Sequence, residues 1–141
     1  MRFLSGFILI ALSVNVMSDE NALQALQQFH QALQEKKGET ALNLLSDDAE
    51  IFESGYAETK KEYAAHHLAA DIDYASATQD KLLHQTMQCD TTMCVIQRQS
   101  ETTGSYRKKV VHTINMETAV LKNIDGKWRI QHLHWSSCEA H

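Results

Sequence analysis

Proline is absent from the chain, and glycine occurs only five times in 141 residues. Pro-rich recognition segments and long flexible linkers are thereby excluded. Basic residues are in deficit, with 13 Lys and Arg against 18 Asp and Glu, for a formal charge of −5. A nucleic-acid-binding surface would carry the opposite balance, so nucleic acid is not an expected partner. No glycine-rich phosphate loop and no G-x-S-x-G are present, and no Ser/His/Asp pattern rises above chance. With 43% hydrophobic and 22% charged residues, the chain reads as one ordinary globular unit rather than a disordered one. Eight histidines are the one unusual excess.

The amino terminus reads as an export signal. Arg2 gives a short positive region, residues 3–16 (FLSGFILIALSVNV) an apolar run, and Val16-Met17-Ser18 the modest side chains a signal peptidase accepts. The run falls short of the roughly 20 residues needed to span a bilayer, so no stable membrane anchor is expected. Residues 1–18 are therefore assigned as a signal peptide and residues 19–141 as the domain, periplasmic or secreted. Export makes the cysteines informative. Cys89 and Cys94 flank four residues, a common hairpin loop, and residues so placed face each other closely enough for a disulfide. Cys138 is left over as a free thiol, a second bridging candidate or a ligand.

Periodicity divides the domain in two. A helix over residues 20–37 carries Leu23, Leu26, Phe29, His30 and Leu33 on one stripe, and a shorter helix covers residues 40–45. Residues 49–53 read as a strand. Thr59-Lys60-Lys61-Glu62 is a capping box, opening a helix that runs to about Asp71 with Tyr63, His66, His67 and Ala70 on one face. After Asp80 the period becomes 2, in strands over residues 81–88, 95–102, 107–123 and 127–137. Turns fall at Gly104-Ser105 and Asp125-Gly126. Helices first and an antiparallel meander afterwards imply an α+β fold, helices packed on one face of a curved four-stranded sheet.

In the last strand, strict alternation puts Trp128, Ile130, His132 and His134 on one face. If that face is concave and the His66/His67 helix closes over it, four imidazoles converge, with Glu53 and Glu117 as carboxylate partners. Two imidazoles and a carboxylate suffice for a transition metal, Zn or Cu, so the main expectation is a pocket domain binding a small ligand or a metal. The alternative is a cofactor-independent acid/base enzyme, isomerase or cyclase in type, acting on a small apolar carbonyl compound. His132 or His134 with Glu53 would move the proton, Tyr63 would donate a hydrogen bond, and Tyr63, Trp128 and Ile130 would form an apolar wall.

The order of elements and four segments resemble a known group. The segments are residues 62–72 (EYAAHHLAADI), 102–104 (TTG), 117–122 (ETAVLK) and 125–137 (DGKWRIQHLHWSS). With the first helix they span nearly the whole domain, and they resemble the nuclear-transport-factor-2-like superfamily, in its SnoaL-like branch of small bacterial proteins. The resemblance implies a cone-shaped α+β half-barrel, a pocket between sheet and helices, and frequent homodimers formed through the sheet. It implies no single activity, since the superfamily holds isomerases, dehydratases, cyclases and non-catalytic domains. The Asp base and Tyr donor of its ketosteroid-isomerase branch have no clear counterpart in this sequence.

Overall fold

The computed structural model describes residues 13–140, with side chains from Asn21 onward, so most of the expected signal segment lies outside the described residues. Four helices come first: α1 (Ser13–Gln34), α2 (Gly38–Leu44), α3 (Lys60–His66) and α4 (Leu68–Ala77). Strands β1 (Leu45–Glu53) and β2 (Tyr56–Thr59) separate the two pairs, and β3 (Thr78–Cys89), β4 (Met93–Tyr106), β5 (Lys109–Ile124) and β6 (Lys127–Glu139) complete the chain. The capping box forms as expected: Thr59 Oγ1 accepts from the Glu62 amide while the Glu62 carboxylate accepts from the Thr59 amide. The helix it opens breaks at His67, which ends α3 and begins α4.

The α+β class holds, but the sheet has six strands rather than four, in the order β2-β1-β6-β5-β4-β3. Two short strands at one edge account for the difference. β1 pairs in parallel with β6, and β2 folds back on β1 through Ser54 and Gly55, whose φ angles of 51° and 84° make a left-handed two-residue turn. The expected turn at Gly104 is also absent. β4 runs through that position and turns at Arg107 and Lys108 instead. Gly104 serves a close approach: a Cβ there would lie 2.7 Å from the Ala77 carbonyl oxygen.

One extra residue decides which side chains face inward. Between Val120↔His132 and Leu121↔Ile130 the β5–β6 register slips, leaving Gln131 as a bulge. Before it, Trp128 and Ile130 face the helices and are buried; after it, Leu133 and Trp135 take over that face. The strict alternation expected across this strand is thus interrupted, and His132 and His134 go to the outer face with Phe52 of β1.

Cross-strand pairs arrange the inward face in transverse rows. Ile51–Leu133–Ala119–Ile96–Met87 forms one row, and Leu121, Ile130 and Cys94 extend it towards the closed end. Ala22, Leu26, Phe29 and Leu33 of α1 are buried against these rows. Each fully buried large apolar side chain of this kind contributes about 1.5–3 kcal/mol. Cys89 and Cys94 are disulfide-bonded, and Asp90 Oδ1 accepts from the Thr92 and Met93 amides to hold the loop between them. The disulfide points to a compartment outside the cytoplasm. No helix among the described residues is long and apolar enough to cross a membrane.

Candidate functional site

Towards the open end of the sheet the row composition changes from apolar to charged. The next row reads Glu53–Trp135–Glu117–Arg98–Gln85, five neighbours on five strands. Above it, α1 and α4 diverge from the sheet and leave a cavity of about 900 Å³. Glu53, Trp135, Glu117 and Arg98 line it from the sheet, and His30 and Asp71 line it from the helices.

Glu117 is the centre of the row and only 8% exposed. Its Oε2 accepts from the Trp135 indole at 2.7 Å, its Oε1 from Arg98 Nη1 at 3.4 Å, and His30 Nε2 lies 3.0 Å from the same carboxylate. Burial alone would raise its pKa. The imidazole, indole and guanidinium outweigh that and hold it at about 2, so this carboxylate stays ionised. Its contact fixes the His30 ring and leaves the other ring nitrogen free of that carboxylate. Trp135 in turn stacks on Phe29, with ring centroids 6.3 Å apart, which locks the row to α1.

Glu53 and Asp71 behave in the opposite way. Burial pushes the Glu53 carboxyl above its ordinary range, and the nearby Asp71 raises it further while His67 opposes. Asp71 is likewise pushed up by burial, against a 2.8 Å hydrogen bond donated by the Tyr63 hydroxyl. Two neighbouring carboxyls, the charge of one discouraging ionisation of the other, can offer a proton acceptor and a proton donor at the same pH. Tyr63 is fully buried, and its own ionisation is pushed far up by that burial.

The expected site residues divide into separate places. Glu53 lines the cavity and Glu117 is its central anion, whereas Tyr63 packs behind the cavity with its hydroxyl committed to Asp71. Trp128 and Ile130 belong to the core at the closed end. His66 and His67 meet Glu58, with His67 Nδ1 at 2.6 Å and His66 Nδ1 at 3.5 Å. His132 and His134 lie across the sheet, His132 Nδ1 against the Glu50 carbonyl oxygen at 3.0 Å. The expected convergence of four imidazoles with Glu53 and Glu117 therefore does not occur. Among the described residues no group of three or more His, Cys, Asp or Glu side chains could hold a metal, Zn and Cu included. The bulge at Gln131 is the physical reason, since it reverses the facing of the histidine pair.

Several site residues were not singled out by sequence. By sequence His30 falls in the α1 apolar stripe, and a histidine within such a stripe is itself the available signal. Asp71 reads by sequence only as a helix end. Arg98 and Trp135 were obscured because their facing depends on register, which cross-strand pairing sets.

Comparison with known proteins bears on this geometry. The family model for the SnoaL-like domain matches residues 22–139. A candidate ketosteroid isomerase from Shewanella frigidimarina is 31% identical, with a TM-score of 0.80, covering 84% of this chain and 97% of its own. A candidate dehydratase of the nuclear-transport-factor-2-like family from Streptomyces avermitilis shares the fold at 13% identity and a TM-score of 0.76, covering 90% of this chain and 100% of its own. A candidate scytalone dehydratase from Novosphingobium aromaticivorans does so at 13% identity and a TM-score of 0.72, covering 90% of each chain. No curated protein matches the chain.

Proposed function

The chain belongs to the SnoaL-like family, and from that premise we propose that it is a cofactor-independent acid/base enzyme for a small, mainly apolar carbonyl compound. The observation that carries this reading is the pair Glu53 and Asp71, two cavity carboxyls whose ionisation is held back by burial. Asp71, favoured as carboxylate by the hydroxyl that Tyr63 donates to it, would remove a proton from the carbon beside the carbonyl. Glu53, kept protonated by burial and by the Asp71 charge, would hydrogen-bond the carbonyl oxygen as negative charge develops there. Returning the proton to a different carbon completes an isomerisation; loss of a β-hydroxyl would make the same step a dehydration. The kinship with a candidate ketosteroid isomerase and the fold shared with candidate dehydratases favour this class.

The pH dependence follows from the two raised carboxyls. Activity should rise with pH as one carboxyl ionises, above the ordinary carboxylate range, and fall again when the second loses its proton. The direct test is exchange of the α-hydrogens of 2-tetralone in D2O, followed by proton NMR. Asp71→Asn should slow enzyme-dependent exchange about 10²–10⁴-fold with little change in affinity. Exchange unaltered by that substitution would remove Asp71 from the role. The disulfide supports a periplasmic or exterior location, which the signal segment of residues 1–18 would provide. The outer sheet face, bearing Phe52 and Met116, is the surface a homodimer formed through the sheet would cover.

A further inference from the structure

Beyond the charged row, the inward face continues into two rows that no step of the proposed reaction uses. The first is Ser137–Asn115–Ser100–Leu82 and the second Glu139–Thr113–Thr102–Asp80. Four of these side chains form a hydrogen-bonded chain with a single direction. Thr113 Oγ1 donates to Asn115 Oδ1 at 3.1 Å, Asn115 Nδ2 to Thr102 Oγ1 at 2.6 Å, and Thr102 Oγ1 to Asp80 Oδ1 at 2.8 Å. Asp80 sets the direction, because an ionised carboxylate only accepts. The Thr102 hydroxyl must therefore donate to it, which leaves the Thr102 oxygen to receive the Asn115 amide.

Thr102 is 4% exposed and is satisfied as both donor and acceptor. Asn115 and Asp80 are not. Asn115 keeps a second N–H, and Asp80 a second carboxylate oxygen, with no side-chain partner among the described residues. Both residues line the cavity. One donor and one acceptor on the same wall match a hydroxyl group, which can accept from the amide and donate to the carboxylate. A carbonyl oxygen could use only the first of the two.

Charge narrows the ligand further. Carboxyl groups of Glu53, Asp71, Asp80, Glu117 and Glu139 line the cavity, against the cations of Arg98 and Lys109. Arg98 already donates to Glu117. A carboxylate or phosphate ligand would meet an acidic wall, whereas a neutral ligand would not. Spacing bounds the size: Asn115 lies one row, roughly 7 Å, along the strands and two strands, roughly 10 Å, across the sheet from Glu53, so a ligand that touches both side chains needs about the length of two fused six-membered rings with their substituents.

We propose that Asn115 and Asp80, aligned by Thr102 and Thr113, form a hydroxyl-reading subsite. The ligand of the cavity is then a neutral ring ketone carrying a second hydroxyl on the far side of the ring from the reacting carbonyl. This rests on the acid/base reading for which end reacts, while the subsite itself is read by binding alone.

The test compares 2-tetralone with 6-hydroxy-2-tetralone, measuring dissociation constants by calorimetry at pH 7 on the full chain. The wild type should bind the hydroxylated ketone about tenfold tighter, the worth of one well-made hydrogen-bonded hydroxyl. Asn115→Leu should abolish the preference and leave 2-tetralone affinity within about twofold. Thr102→Val, nearly the same shape, should reduce the preference and serves if the first variant fails to fold. Equal affinities in the wild type, a preference kept in both variants, or no saturation by either ketone would overturn the proposal. Hydrogen exchange on 2-tetralone separates the two ideas. Preference without exchange supports the subsite and removes the acid/base reading; exchange without preference removes the subsite alone.

Discussion

Replacing Glu117 by Gln keeps the shape of the central side chain and removes its charge. Gln can still accept from the Trp135 indole, but His30 and Arg98 lose the anion that faces them. Two routes give the magnitude. Holding a carboxyl at about 2 instead of 4.5 is worth roughly 3 kcal/mol at neutral pH, at about 1.4 kcal/mol per unit. Breaking a buried ion pair from one side typically costs about 3–5 kcal/mol. For a domain of this size, each kcal/mol moves the melting temperature by about 3–5 °C, so Glu117→Gln should melt about 10–25 °C below the wild type at pH 7. The dependence on pH has a definite sign. A depressed carboxyl contributes fully above its unfolded value of 4.5, and the contribution is lost as pH falls towards 2. The gap between the two proteins should therefore hold from pH 7 to about 5 and narrow below that, in urea titrations run down to pH 3. A difference under about 3 °C at pH 7, or one that stays constant on acidification, would refute the assignment of Glu117 as the ionised anchor of the row.

The raised carboxyls imply the reverse sign. Wild-type stability held back by Glu53 is fully present below its unfolded value and declines as pH rises through the raised one, so Glu53→Gln should be more stable than wild type at pH 7 and equal to it in acid, by the same urea titrations. Reducing the Cys89–Cys94 bridge should cost about 2 kcal/mol, the small value expected for so short a loop, measured by melting with and without a reductant. His132→Ala combined with His134→Ala should leave calorimetric ketone affinity unchanged, because both rings pack with Phe52 on the far side of the sheet.

Local signals in the sequence were reliable wherever a few neighbouring residues decide the outcome. The capping box at Thr59 and Glu62, the turn at Asp125-Gly126 and the Cys89–Cys94 hairpin all form as their residue types require. Legibility failed where two distant segments must meet. The four-residue β2 has too little pattern to be recognised alone, and its Ser54-Gly55 turn is conspicuous only once the pairing is known. The facing of His132, His134 and Trp135 depends on a single bulged residue, and nothing local to Gln131 marks it. Glu53 and Glu117 could be named in advance because one ends the first strand and the other lies within the long strand. Their partners His30, Asp71 and Arg98 could not, since each sits on a different element and acquires its role only through the assembled cavity.

The parallel pairing of β1 with β6 has a consequence in time. Glu53 is brought beside Trp135 by a contact that joins the beginning of the sheet to its end, and no neighbouring hairpin can hold β1 in that register first. A growing chain can close β3 on β4 and β4 on β5 as each turn emerges, because those contacts are local. β1 must wait for the last strand, and closing so long an intervening loop costs entropy before the contact can form. Assembly of the cavity is therefore among the final events of folding, and a chain truncated before β6 would have a meander without Glu53 in place. The charged row exists only in the finished molecule.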